Sequence, residues 1–226
     1  MSLPQISVSL LLEVFATKSF RADLDLCIAI ADKYGASVPS IFVEALIIAE
    51  DHRSKLHPGI DVIAMARALW VRATLGQIQG ASTIEQQFVR VVSNRYERTP
   101  ARKLREQMLA LMVVRRVNKQ TVASAYLSVA FYGSGSVGVK GLNAQFGEDL
   151  SLVSFNQALQ MVAQLKYPRP PFPTVKWRNK IVTRCKVLLN RVESTANKSL
   201  RQTFDRSPLR FRKMIPPEMP LNSDVE

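Results

Sequence analysis

The sequence predicts an all-α fold, and three observations carry that expectation. Apolar residues recur at three- and four-residue spacing in almost every patterned segment, strict alternation is rare, and Pro or Gly clusters divide the chain into blocks. Helices are expected over residues 8–17, 21–33, 40–50, 61–75, 83–94, 100–117, 120–131, 154–165 and 177–193.

Residues 8–17 overlap the apolar stretch ISVSLLLEVFA, which Glu13 interrupts and which is too short to cross a bilayer. It has no basic leader and no small-residue cleavage site, so the chain as written shows neither a membrane span nor an export signal. Residues 21–33 keep the helical period. Pro39 and Ser40 open the helix SIFVEALIIAE, which is apolar on nearly every side apart from Glu44 and is therefore expected to be central and buried. It ends by delivering Glu50 and Asp51 to a break at His57-Pro58-Gly59.

The helix at 61–75 is apolar but carries Arg67, Trp70 and Arg72, which suits either a core position or a helix lying at a lipid interface. After the break from Gly76 to Gly80, Ser82 and Thr83 suit capping of the helix at 83–94, and Pro100 starts the helix at 100–117. The pattern TVASAYLSVAFY gives the helix at 120–131. GSGSVG at 133–138 has the form of a dinucleotide fingerprint, but it follows a helical pattern with no β-α-β unit around it and reads as a tight turn or lobe connection. YPRPPFP at 167–173 separates the last two helices, and from about residue 194 the chain turns basic and proline-rich, which reads as a poorly ordered tail.

Composition sets outer bounds. A chain of 226 residues with 47% hydrophobic residues suits one sizeable domain or two small lobes. The net charge of +13 points to an anionic partner: nucleic acid, an anionic membrane surface, or phosphate on a small substrate. No helix-turn-helix or aromatic-basic signature is present, so nucleic acid is not the expected partner. Cys27 and Cys185 are too few and too distant for a disulfide framework and read as inert core thiols, and His52 and His57 complete no metal-ligand pattern.

Three stretches carry residues suited to chemistry. Burial disfavours the charged form of a carboxylate, so Glu50 at the end of an apolar helix suits proton transfer, although a simple cation partner at a helix end would also account for it. In RTPARKLRE, Arg102, Lys103 and Arg105 surround Glu106, and residues 90–119 hold nine Lys or Arg against only Glu97 and Glu106. That density suits a phosphate site, while the four-residue spacing of Arg102 and Glu106 equally suits a surface ion pair. GASTIEQQ joins a helix cap to the paired amides Gln86 and Gln87, which suit sugar hydroxyls and carbonyls.

Taken together, EDHRSKLHPG, GASTIEQQ, RKLRE and KQTVASAYLSVAFYG resemble, in order and spacing, the motif series of the family 51 glycosyltransferases, the peptidoglycan transglycosylase domains of penicillin-binding proteins and monofunctional transglycosylases. The resemblance runs from about residue 40 to 192 and includes TRCKVLLNRV near its end. It implies a lysozyme-like helical head, a smaller membrane-facing jaw lobe at approximately 58–80, and a glycan cleft between them. On that reading residues 1–38 form an N-terminal helical extension, 39–193 the transglycosylase domain and 194–226 the tail.

The implied reaction polymerises lipid II into a β-1,4 glycan with release of undecaprenyl diphosphate. Glu50 takes the place of the general base and Glu106 that of its partner on the donor side. Arg90 and Arg98 fall where the family contacts the donor diphosphate, and Asp51, His57, Ser82, Thr83, Gln86, Gln87, Arg102 and Lys103 join them as substrate-binding positions. No metal ligands are assigned; a divalent cation, Mg or Mn, would assist by neutralising the diphosphate.

The sequence departs from the family at Ser54, Ala81, Ser124 and Ser128, all read as packing positions. The departures leave a non-polymerising binder of lipid-linked glycan as the alternative. No Ser-x-x-Lys occurs, so transpeptidation is not expected, and the implied location is peripheral on the outer face of the cytoplasmic membrane.

Overall fold

The computed structural model describes residues 18–206, with side chains described to residue 193. Its α-helices are α1 (Lys18–Tyr34), α2 (Ser40–Glu50), α3 (Val62–Leu75), α4 (Ile84–Val92), α5 (Pro100–Val114), α6 (Lys119–Val129), α7 (Gly138–Phe146), α8 (Phe155–Lys166) and α9 (Val175–Arg206). Between α6 and α7 lies a short antiparallel hairpin, β1 (Phe131–Gly133) with β2 (Ser136–Val137). The all-α expectation holds, and the expected helix at 8–17 lies outside the described residues.

Helix α6 is the hub of the core. Asn118 caps it by accepting from the Thr121 amide at 2.8 Å, and every residue from Val122 to Ser128 is buried. A helix buried all round must let its neighbours close in, and the small residues Ala123, Ser124, Ala125 and Ser128 allow α1, α2, α4 and α7 to pack against it. The two buried serines satisfy their hydroxyls on backbone: Ser124 accepts from the Val38 amide and donates to the Tyr34 carbonyl, each at 3.3 Å, while Ser128 donates to the Ser124 carbonyl at 2.9 Å. Ser124 thereby ties the α1–α2 connection to the hub.

Helix α2 begins after Pro39 and buries Phe42, Val43, Ala45, Leu46 and Ala49 against α6 and α8. Helix α1 buries Phe20, Leu24, Cys27 and Ala31 and packs on α4, α5 and α6, so these residues, set apart in the sequence as an extension, share the core of the remainder. Burial and the nearby Asp23 charge push the Cys27 thiol up to about 12, leaving it protonated and inert. Cys185 is only half-buried, which corrects its assignment to the core.

Two further corrections concern the C-terminal half. Helix α7 was not expected, because its first residue is Gly138, no side chain caps it and a second glycine, Gly141, sits inside it. Packing decides it instead: a Cβ on Gly141 would stand 2.6 Å from Ser136 Oγ. Helix α9 continues to Arg206 where the sequence was read as a tail from 194, and residues 207–226 lie outside the described residues. Among the described residues, those from Leu189 to Arg206 fall in a unit of their own.

The proline-rich segment is stitched to the hairpin. Arg169 N–H donates to the Tyr132 carbonyl at 2.9 Å and Ser134 N–H to the Arg169 carbonyl at 2.8 Å. Gly133 makes this approach feasible, since at φ +142 its missing Cβ would lie 2.3 Å from the Arg169 nitrogen and oxygen. Gly133→Ala is therefore expected to lower unfolding free energy by about 2–4 kcal/mol in urea denaturation. Gly76→Ala, with φ +63 but nothing within 4 Å of the added carbon, should cost about 1 kcal/mol.

Candidate active site

Glu50 ends α2 with its side chain 20% exposed. Arg184 of α9 donates through Nη2 to Glu50 Oε1 at 3.1 Å and to the Ala49 carbonyl at 2.8 Å. On the other oxygen, Gln87 Nε2 approaches Oε2 at 3.5 Å. Tyr126 donates to Gln87 Oε1 at 2.9 Å, and this contact turns the amide so that its NH2 faces the carboxylate. Burial, aided by the Glu50 charge, holds the Tyr126 hydroxyl well above its ordinary range, so it stays a donor.

The chain after Glu50 is fixed by buried polar contacts. Asp51 and His57 have side chains 5% and 4% exposed, and His57 Nε2 donates to the Asp51 carboxylate at 3.0 and 3.1 Å. The Gly59 amide donates to His57 Nδ1 at 3.2 Å, which assigns the ring proton to Nε2. Asp51 also accepts from the Ile84 amide at 3.3 Å, and Thr83 Oγ1 donates to the Gly59 carbonyl at 2.7 Å. Thr83 caps α4 in a reciprocal box with Gln86. Asp51, His57, Thr83 and Gln86, expected at the substrate surface, are thus placed inside the protein and position the loop and the helix.

Lys119 closes this cluster, donating to the carbonyls of Ser54 and His57 and pairing with Glu85 at 3.2 Å. Ligand atoms of Asp51, His57 and Glu85 lie within 4.8 Å of one another, a grouping not visible in the sequence. The Lys119 ammonium already neutralises Glu85 and also approaches His57 Nδ1 at 3.4 Å. These residues therefore do not fit a divalent cation.

The second carboxylate has the opposite setting. Thr99 caps α5 and Pro100 begins it, bringing Glu106, 3% exposed, beneath three cations. Arg90 donates to Glu106 through Nε at 2.9 Å and Nη2 at 3.1 Å; Arg102 and Lys103 donate to its two oxygens from the preceding turn. Ser82 Oγ accepts from Lys103 at 3.0 Å and Arg90 at 3.4 Å, and Gln86 Oε1 accepts from Lys103 at 3.1 Å. Burial alone would push Glu106 upward, but hydrogen bonds from Arg90 and Lys103 and their charges hold it below the usual carboxylate range. Burial lowers the Lys103 ammonium, with Glu106 opposing that shift. Three cations around one carboxylate leave a surplus of positive charge.

Helix α4 joins the two halves, since Gln87 and Arg90, one turn apart, address Glu50 and Glu106 respectively. Arg98 is not brought in: it is exposed on the loop before α5 and bonds to none of the residues named above. Arg184 was missed as a site residue although it lies in the TRCKVLLNRV stretch; nothing local marks which of its basic residues turns inward. Beyond the loop, α3 is anchored by Asp61, which accepts from the Ala64 amide and pairs with Arg53 at 2.7 Å. The helix buries only Ala64 and Val71, and exposes Val62, Ile63, Leu69, Trp70 and Leu75, with Ile78 just after it.

Residues 33–193 match the family model described as Transglycosylase. Among curated proteins, penicillin-binding protein 1A of Haemophilus influenzae is 37% identical over 138 residues, which is 60% of this chain and 16% of that protein. Penicillin-binding protein 1A of Aquifex aeolicus is 34% identical over 133 residues, covering 58% and 18%. Penicillin-binding protein 1B of Vibrio cholerae is 32% identical over 136 residues, with the same shares of 58% and 18%. The matched region is less than a fifth of each of these relatives.

The depressed acid range of Glu106 has a definite stability signature. Its contribution is present above the unfolded carboxylate value of 4.5 and is lost as pH falls through its lower folded value. Glu106→Gln should lower stability by about 2 kcal/mol near neutrality, the low side of a buried pair because the cations are partly exposed. The difference from the unmodified chain should shrink below pH 4.5 in urea melts run as a pH series.

Proposed function

The chain belongs to the transglycosylase family, and we propose that it is a peptidoglycan glycosyltransferase that polymerises lipid II into β-1,4 glycan with release of undecaprenyl diphosphate. The observation that carries this reading is the bar formed by α4, which holds a partly open carboxylate on one side and a caged cationic cluster on the other. That arrangement suits a displacement in which a hydroxyl attacks and a diphosphate leaves.

In the reaction Glu50 accepts the proton of the acceptor sugar hydroxyl as its oxygen bonds to the anomeric carbon of the donor. The bond from that carbon to the diphosphate breaks, and the leaving oxygens carry the electron pair toward Arg90, Arg102 and Lys103. A single in-line displacement inverts the anomeric centre, as in two-carboxylate inverting enzymes. Glu106, held ionised by its neighbours, is poorly suited to donate a proton; it serves to keep the three cations in place until the diphosphate shares them.

The exposed face of α3 supports a membrane-facing jaw, its Trp70, Leu69 and Ile63 entering the interface beside a polyprenyl chain. No helix among the described residues is long and apolar enough to cross a membrane, so on this reading α3 supplies peripheral attachment at the outer face. The residues at hand contain no Ser-x-x-Lys, and the reading assigns them glycosyl transfer alone.

The test incubates the purified chain with labelled lipid II in detergent, with and without a divalent cation, and resolves products on a gel. A glycan ladder is expected from the unmodified chain, with Glu50→Gln reducing its rate by at least about 100-fold. Should no ladder form where a control transglycosylase makes one, while lipid II still binds, the chain is a non-polymerising binder and this reading falls.

A further inference from the structure

Helix α1 brings a further carboxylate to the neighbourhood of the cationic cage. Asp23 Oδ2 accepts from Arg95 Nε at 3.1 Å, and from Arg105 through Nε at 3.3 Å and Nη2 at 2.7 Å. Ser19 Oγ, one turn earlier, accepts from Nη2 of both arginines, at 2.9 and 3.1 Å. The Arg105 guanidinium carbon also lies 5.2 Å from the centre of the Phe20 ring. Ser19, Phe20 and Asp23 all precede residue 33, where the match to the family model begins.

The two arginines belong to the two segments that build the cage. Arg95 follows α4, and its amide donates back to the Arg90 carbonyl at 3.3 Å after a left-handed residue, Asn94, at φ +50. Arg105 stands on α5 between Lys103 and Glu106, yet it pairs with α1. Arg90, Arg95, Arg102, Arg105 and Glu106 line one cavity of only about 10 Å³, room for about a single water, so the Asp23 cluster is packed directly against the cage. Four guanidinium groups in that space share two carboxylates, Glu106 and Asp23. Without the Asp23 charge, Glu106 is the one carboxylate on that cavity wall, and Arg95 and Arg105 compete for it with Arg90 and Arg102.

We propose that Asp23 is a positioning residue for the donor diphosphate: by holding Arg95 and Arg105 on α1, it leaves Glu106 to Arg90, Arg102 and Lys103 and sets the spacing of α4 and α5 at the cage. The inference rests on the reading of that cage as the diphosphate site. Asp23 touches no substrate in this role. It acts through the direction of the cage donors, and charge-assisted bonds to phosphate oxygens depend on that direction.

The test titrates the full chain with inorganic pyrophosphate while following the side-chain Nε–Hε resonances of Arg90 and Arg102. Saturable shifts are expected in the unmodified chain, with affinity weakened about tenfold or more in Asp23→Asn, whose Arg90 and Arg102 resonances should already be displaced before ligand is added. Removing a carboxylate adds positive charge, which by itself would tighten pyrophosphate binding, so weakening reads geometry rather than net charge. Cys27→Ala, one turn further along α1 and buried away from both guanidinium groups, controls for a general loosening of the helix, and the same spectra report whether each variant is folded. Unchanged or tighter binding in Asp23→Asn, or equal weakening in Cys27→Ala, overturns the positioning role and leaves the cage as the diphosphate site. No saturable shift at Arg90 and Arg102 in the unmodified chain overturns the cage assignment, and the positioning role falls with it.

Discussion

The junction between the first turn of α4 and the loop after Glu50 sets the geometry of the site. Asp51 accepts from the Ile84 amide, and Thr83 donates to the Gly59 carbonyl, so the helix start and the loop are locked at two points. Both bonds are buried, and a buried polar group left unpaired is costly, so neither side shifts without the other. From that fixed start, one turn of helix separates the side chain that meets Glu50 from the one that meets Glu106. Lys119 braces the same loop from the hub helix α6.

The two carboxylates differ because of what surrounds them rather than what they are. Glu106 is almost inaccessible and meets three cations, which hold its carboxyl below the usual carboxylate range and occupy its oxygens. Glu50 is partly exposed and meets one guanidinium and one amide at the edge of contact. A group that must gain and lose a proton needs an approachable lone pair, and only the second setting leaves one. The positive surplus lies around the other carboxylate. Part of the chain's net charge of +13 is thereby concentrated around Glu106.

The departures at Ser124 and Ser128 are absorbed without strain, since both hydroxyls find backbone partners inside α6 and at the α1–α2 turn. Ser54 is buried and offers its carbonyl to Lys119. These residues act on the scaffold, and none of them touches Glu50 or the Glu106 cluster.

The sequence by itself determined the helices whose apolar period and start signals agree: Pro39 before α2, Thr83 before α4 and Pro100 opening α5. It also marked Glu50, Glu106 and the basic turn beside Glu106, because Arg102, Lys103 and Glu106 are neighbours on one helix. Only the tertiary structure decided that Asp51, His57 and Gln86 face inward, that Arg98 stands apart, and that Arg184 reaches Glu50 across 134 positions. It alone made a helix of Gly138–Phe146, where local propensity is poor and close packing compensates. The physical reason is the same in each case. Local patterns report what a residue does to its own turn, whereas burial, ion pairing and the direction of a side chain depend on segments that meet only after the chain has folded.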